Sequence, residues 1–176
     1  MPQLPENPPY NAAEGGALDG RSSGGNAARA PGVDSLRLIA FGLGNEWYAV
    51  EIQHVRGIEQ EREITCVPRG PKWLAGVFNL HGTILPAIDP RPLLGISPQR
   101  KREAGLLIVF QWDGNQAALL ADGVDEIYEL SRSSLEPQLA TVAGPQAGLL
   151  QGNVRVRDRL IGVIDLPALV DVLLKG

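Results

Sequence analysis

Cysteine is nearly missing from this chain: Cys66 is the only one in 176 residues. A single thiol cannot form an internal disulfide, so a secreted scaffold held by cross-links is excluded. Histidine is also scarce, with His54 and His81 alone. Together with Cys66 they leave little for a zinc site, whose protein ligands usually number three or four, and no metal site is expected. Aromatics make up 5% of the residues, too few for a platform on which single-stranded bases stack. Basic side chains do not predominate: 16 Lys and Arg stand against 20 Asp and Glu, a net charge of −4. That balance lacks the clustered basic surface a phosphate backbone requires, so no nucleic-acid partner is expected. Long apolar runs are missing too. The longest uncharged one, Ala104–Phe110, is far below the ~20 residues of a spanning helix. The start, Met1-Pro2-Gln3-Leu4-Pro5-Glu6, has neither the basic end nor the apolar block of a secretory leader. A cytoplasmic chain without direct membrane insertion is expected.

What remains is a globular composition, 44% apolar and 20% charged, long enough to bury a sizeable core. It is not uniform. Residues 1–34 hold 11 Gly and Pro, about a third of the segment, and few large apolar side chains. That is too little to offset the entropy of ordering, so a disordered tail is expected, with a folded domain over 35–176.

Within the domain the signals are short strands and tight turns. Leu36–Leu43, Gly44-Asn45 and Trp47–Ile52 read as one hairpin. Leu106–Trp112, Asp113-Gly114-Asn115 and Gln116–Ala121 read as another. Gly76–Leu80, His81-Gly82 and Thr83–Ile88 make a third, and Gly152–Val156, Arg157-Asp158 and Arg159–Ile164 a fourth. Short helices are expected after Asp89 and over Leu166–Leu174. The pattern is that of a mainly β barrel or sandwich.

An internal repeat organises these pieces. Leu74–Leu94 aligns without a gap on Leu150–Val170, 76 residues later, matching Leu74/Leu150, Gly76/Gly152, Ile88/Ile164 and Asp89/Asp165. With small gaps, Phe41-Gly42-Leu43 and Gly44-Asn45 resemble Phe110-Gln111-Trp112 and Gly114-Asn115, and Val55-x-x-Ile58 resembles Val124-x-x-Ile127. Two similar β-lobes in one domain follow, and the seam between them is a natural groove.

Reactive groups are sparse. Asp89 and Asp165 each end a strand before a short helix, the position of a capping carboxylate rather than an acid–base pair. His81 sits at a hairpin tip where a positive φ is expected. His54 is expected to face solvent. Cys66, within Ile64-Thr65-Cys66-Val67-Pro68, is expected in an apolar strand as a buried thiol. Arg155, Arg157 and Arg159 cannot form one straight row because a turn interrupts them. Trp47, Trp73 and Trp112 read as lobe packing. No phosphate-binding, nucleophile-elbow or zinc-protease motif is present. No catalytic residue and no cofactor-binding residue is assigned, and a binding protein is favoured over an enzyme.

The run Leu74-Ala75-Gly76-Val77-Phe78-Asn79-Leu80-His81-Gly82-Thr83-Ile84-Leu85-Pro86-Ala87-Ile88-Asp89 resembles the signature of CheW-type chemotaxis coupling proteins. The resemblance extends over 35–176, through Phe41-x-Leu43-Gly44-x-Glu46-x-Tyr48-Ala49-Val50, Ile64-Thr65-x-Val67-Pro68 and Gly162-Val163-Ile164-Asp165-Leu166. It implies two small five-stranded SH3-like β-barrels packed together. It also implies a non-catalytic adaptor, without cofactors, that bridges the cytoplasmic tip of a methyl-accepting chemoreceptor to the regulatory domain of a CheA-type histidine kinase at membrane-associated arrays. Carried over by position, Val55, Gly57, Gly76, His81 and Ile127 fall where the family's receptor contacts lie. Two departures stand out. The family usually has Arg where this chain has His81, and commonly Glu where it has Gly57. An acid and a base lost together suggest a pair, since either charge left alone would be costly. The alternatives are a CheW-like scaffold that does not control the kinase, and a β-barrel binding a small ligand or oligonucleotide.

Overall fold

The structure, a computed structural model, describes residues 34–97, 105–137 and 148–175. Apart from Asp34, the expected tail over 1–34 lies outside the described residues.

Strands β1 (Ser35–Leu43) and β2 (Glu46–Glu51) form the first hairpin, and β3 (Val55–Gln60) follows after a single 3-10 turn. β4 (Leu74–Leu80) and β5 (Thr83–Ile88) form the next hairpin and lead into the one-turn helix α1 (Arg91–Leu94). The second half repeats the series as β6 (Leu106–Trp112), β7 (Asn115–Ala121), β8 (Gly123–Ser131), β9 (Leu150–Val156), β10 (Arg159–Ile164) and α2 (Leu166–Lys175). All four hairpins and both helices stand where the turn chemistry puts them. The tips are held by left-handed residues, among them His81 at φ 50°, Asp113 at 46° and Arg157 at 53°.

Two five-stranded sheets result, in the orders β8-β1-β2-β10-β9 and β3-β6-β7-β5-β4. Neither is one half of the sequence. Each takes the opening hairpin of one half and the last three strands of the other, so the halves exchange strands. The exchange is symmetric to the residue. Parallel contacts join β2 to β10 at Ala49/Val163 and β7 to β5 at Ala118/Ala87. Bulges interrupt β1–β8 at Ile39/Phe41 and β3–β6 at Val55/Gly57, which are matching positions. The opening hairpins turn at Gly44-Asn45 and at Asp113-Gly114. The alignment of Gly44-Asn45 with Gly114-Asn115 is therefore off by one, and 41–58 corresponds to 110–127 at a uniform spacing of 69 residues.

Three apolar clusters explain the strand patterns. Leu36, Leu38, Ala40, Ala49, Val154, Ile161 and Val163 fill the curl of the first sheet. Phe78, Leu85, Ala87, Leu107, Val109, Ala118 and Leu120 fill that of the second. The alternate residues of the opening hairpins, Ile39, Phe41, Leu43, Tyr48, Val50, Ile108, Phe110, Leu119 and Ala121, meet between the sheets with Leu166, Leu169 and Val170 of α2. β1, β2, β6 and β7 are thus covered on both faces, which is why they read as near-continuous apolar runs. β3 and β8 alternate because one face is exposed.

Two expectations fail. Cys66 is exposed: of its segment only Thr65 bridges a strand, at Val77, and no second sheet covers it. His54 does not stand free in solvent. It is half-buried, its ring edge-on to Trp112 with centroids 4.7 Å apart.

Candidate functional site

The pseudo-symmetry places two equivalent surfaces on the domain. One is built by β3 and the β4–β5 tip, the other by β8 and the β9–β10 tip. Each exposes two large aliphatic side chains at corresponding positions: Ile58 and Ile84 on the first, 41% and 61% exposed, and Ile127 and Leu160 on the second, 49% and 52% exposed. Among the described residues, these four are the exposed large aliphatics of the sheets.

The polar groups around them differ. On the second surface Arg157 Nη2 lies 2.7 Å from Glu126 Oε1, and Arg159 Nη1 lies 2.6 Å from Asp125 Oδ2. The Arg159 guanidinium also stands 4.2 Å over the Trp47 ring, and Tyr128 Oη donates to Asp125 at 3.1 Å. These pairs link β8, at one edge of its sheet, to the hairpin at the other edge, where backbone bonds do not close the curl. The corresponding positions on the first surface are Arg56, Gly57, His81 and Thr83. Here Arg56 Nε donates to Gln111 at 3.0 Å, and the tip is stiffened by Gly82 N–H donating to Asn79 at 2.7 Å. Gly57 and His81 therefore occupy the places of Glu126 and Arg157. Gly57 carries no positive φ, and nothing lies within 4 Å of a Cβ placed there. Backbone geometry does not demand glycine at this position.

A groove of about 790 Å³ opens beside the second surface, lined by Trp47, Tyr48, Arg155, Arg159 and Leu160. A smaller one of about 490 Å³ opens by β3, lined by His54, Arg56, Gln111 and Trp112. Tyr48 stacks on Gly162, whose Cβ would come within 3.1 Å of the ring. Burial, then the hydrogen bond to Glu46, pushes the Tyr48 phenol above its ordinary pKa.

The five carried-over positions do not lie on one surface. Gly57 and His81 belong to the first and Ile127 to the second. Val55 is half-buried against the central cluster. Gly76 is buried at φ 150°, and a Cβ there would meet the Thr65 carbonyl oxygen at 2.3 Å. Gly152 repeats the contact on Glu136 at 2.4 Å. Gly76 is thus a close-approach glycine under the crossing 64–65 segment and offers no side chain to a partner.

The capping assignment holds for Asp165, which accepts the Ala168 N–H at 3.0 Å. Asp89 serves a different group. It accepts the Arg91 backbone N–H at 3.1 Å and its guanidinium at 2.9 Å. Sequence reasoning passed over Arg91, which is 3% exposed and also pairs with Asp122. Burial pulls its pKa down, but Asp122 and Asp89 outweigh it and hold the guanidinium above its ordinary value. Asp122 in turn accepts the Gly44 N–H at 2.6 Å. Arg91 thereby ties α1, the end of β7 and the β1–β2 turn. The sequence signal was the charged Asp89-Pro90-Arg91 where the other half has Asp165-Leu166-Pro167.

Among the described residues no helix is long and apolar enough to cross a membrane, and no cluster of three metal-ligating side chains occurs. The CheW-like domain model matches residues 37–173. The "Probable chemotaxis protein CheW" of Rhizobium etli is 31% identical over 132 residues, covering 75% of this chain and 85% of that protein. The chemotaxis protein CheW of Rhizobium meliloti is 28% identical over 141 residues, covering 80% and 91%. The crystal structure of the scaffolding protein TtCheW from Thermoanaerobacter tengcongensis superposes with a TM-score of 0.70 at 26% identity, covering 82% of this chain and 91% of that one.

Proposed function

This chain belongs to the CheW-like domain family, and on that premise we propose that it couples a chemoreceptor to a CheA-type histidine kinase by protein contacts alone. The observation that carries the reading is the pair of equivalent surfaces, each with two exposed aliphatic side chains. Isolated exposed aliphatics need no explanation. The same two positions kept exposed in both halves fit a domain that holds two protein neighbours at once. Signal passes if contacts at the two ends differ between kinase-on and kinase-off assemblies. The assignment to receptor and kinase, and the place at a cytoplasmic receptor array, rest on kinship with chemotaxis CheW proteins.

The test is reconstitution. Kinase autophosphorylation is measured with a receptor signalling fragment, with and without this chain. Receptor-dependent stimulation that requires the chain is the expected result. Binding to both partners without any change in rate fits the second reading, a scaffold that assembles but does not control the kinase. The Gly57–His81 positions favour that reading, because they form no counterpart of the ion pair found at the other end. No binding to either partner removes both readings.

A further inference from the structure

Among the described residues the chain passes from one sheet to the other at two places, from β2 to β3 through Ile52–His54 and from β7 to β8 through Asp122. The two crossings are corresponding positions of the repeat, yet they are held differently. At Asp122 the backbone N–H donates to the Gly42 carbonyl at 2.9 Å, and one carboxylate oxygen accepts the Gly44 N–H at 2.6 Å. The other oxygen takes the guanidinium of Arg91, which also bonds Asp89 at 2.9 Å. Asp89 and Arg91 follow β5 of the second sheet, whereas Gly42 and Gly44 belong to the β1–β2 hairpin of the first. The sheets are therefore tied together around a guanidinium only 3% exposed, where charge-assisted hydrogen bonds are strong.

The other crossing has no such tie. Gln53 stands in the place of Asp122, and Pro167 in that of Arg91. Gln53 turns its amide to Glu51, 2.8 Å away at the end of its own strand. Asp165 caps its own helix at Ala168, and Asn115 bonds the Asp113 carbonyl within its own turn. The β1–β8 ladder runs on to Gly42/Gly123, while the β3–β6 ladder stops one pair earlier, at Val55/Phe110. Among the described residues no backbone bond joins Gln53 to Gln111 as Asp122 is joined to Gly42. What spans this crossing is the His54 ring, edge-on to Trp112, beside the open groove lined by His54, Asp113 and Gly114.

We infer that the domain is a one-sided hinge: the Arg91 clamp latches the crossing at Asp122, and the two sheets rock about it with the change of angle taken up at Ile52–His54. Hinges are a few residues at the ends of elements that absorb a backbone change. Ile52–His54 is such a piece, a single 3-10 turn with no side-chain cap and no buried residue. Ile58 and Ile84 stand on the second sheet, and Ile127 and Leu160 on the first. Rocking therefore changes how the two exposed aliphatic pairs are set relative to one another, while each sheet keeps its own ladders. The inference concerns the domain alone and stands whether or not the coupling reading does.

The test is a pulsed spin-label distance measurement on the full chain carrying Cys66→Ser, which removes the exposed native thiol. One label pair, Asn45→Cys with Ser97→Cys, spans the latched crossing. The other, Asn115→Cys with Asp171→Cys, spans the free one. All four positions are exposed. With the clamp intact, the first pair is expected to give a narrow distance distribution and the second one about twice as wide. Adding Arg91→Met is expected to widen the first distribution and leave the second unchanged. Equal widths with the clamp intact overturn the inference. So does an Arg91→Met chain whose first distribution stays narrow. Widening of both pairs together overturns it as well, since that is general loosening and not a lost latch. If Arg91→Met fails to fold, Asp122→Asn takes its place, putting a neutral amide where the other crossing has Gln53, and is read against the same outcomes.

Discussion

The end of the domain at β8 and the end at β3 share a backbone, a bulge, a left-handed hairpin tip and two exposed aliphatics. They share almost none of their charge. At β8 two ion pairs reach across to the β9–β10 hairpin, whose Arg159 also stands over Trp47 of β2. At β3 the same span has an arginine, a glycine, a histidine and a threonine, and Arg56 bonds Gln111 instead of reaching the β4–β5 tip. The repeated backbone fixes where surface residues stand, while the side chains at those places differ in charge. Backbone-determining positions match in both halves, as Gly76 and Gly152 show, while exposed positions differ.

The largest effect expected is at those two glycines, where the halves should agree. Gly76→Ala and Gly152→Ala each drive a Cβ to about 2.3–2.4 Å from a backbone oxygen. Each is expected to cost about 3 kcal/mol or more in denaturant unfolding, with Gly76 the worse because of its φ of 150°. If either proves silent, the 64–65 or 136 crossing is not fixed by the glycine.

Arg91 should break the agreement. Its counterpart is Pro167, and the counterpart of Asp122 is Gln53, so the clamp exists once. Arg91→Met leaves two carboxylates, 27% and 29% exposed, without their cation. A loss of about 2 kcal/mol is expected, below the figure for a fully buried pair because water reaches both acids. A smaller loss follows Asp165→Ala, about 1 kcal/mol through the missing cap, with partner binding intact by calorimetry.

Alkaline pH separates the sheets in another way. Tyr48 has Ala117 as its counterpart, and its phenol titrates above the ordinary range. Its stabilisation is full below the unfolded value of about 10 and is lost as pH rises toward the higher folded value. Wild type should therefore weaken above pH ~10 in urea titrations, and Tyr48→Phe should flatten that decline.

The smallest effect is the sharpest comparison. Gly57→Glu with His81→Arg rebuilds at the β3 end what Glu126 and Arg157 form at the other. A double-mutant cycle should give favourable coupling of about 0.2–1 kcal/mol, the range of exposed pairs. The cycle reads the pair cleanly, since Gly57 has open space and an ordinary φ. Strict additivity would mean the two ends do not superpose there.

Much of this was legible in the sequence. Four hairpins announce themselves by their turns, because Gly44-Asn45, His81-Gly82, Asp113-Gly114 and Arg157-Asp158 sit between apolar runs. Both helices and the Asp165 cap were legible for the same local reason. Strand exchange was not, since a hairpin has the same local pattern whichever sheet it joins. Arg91 was missed because its partner Asp122 lies 31 residues away. Cys66 was misplaced because an apolar neighbourhood in sequence says nothing of which side of a single bridge the thiol faces. The Gly57–His81 site was legible as a likeness. That Gly57 and His81 correspond to the Glu126–Arg157 pair emerged only when the two registers were compared.

The strand exchange also sets a timetable. β2 finds its parallel neighbour at Tyr48/Gly162, more than a hundred residues downstream. As the chain leaves the ribosome, the second sheet has all its strands once β7 has emerged, but the first must wait for the last three. Until then an opening hairpin destined for burial on both faces stands half covered. Loop closure of that length is slow and leaves apolar strands open to wrong partners. Cutting the gene at its repeat boundary would yield two fragments of which neither holds a complete sheet, so each repeat depends on the other to be finished.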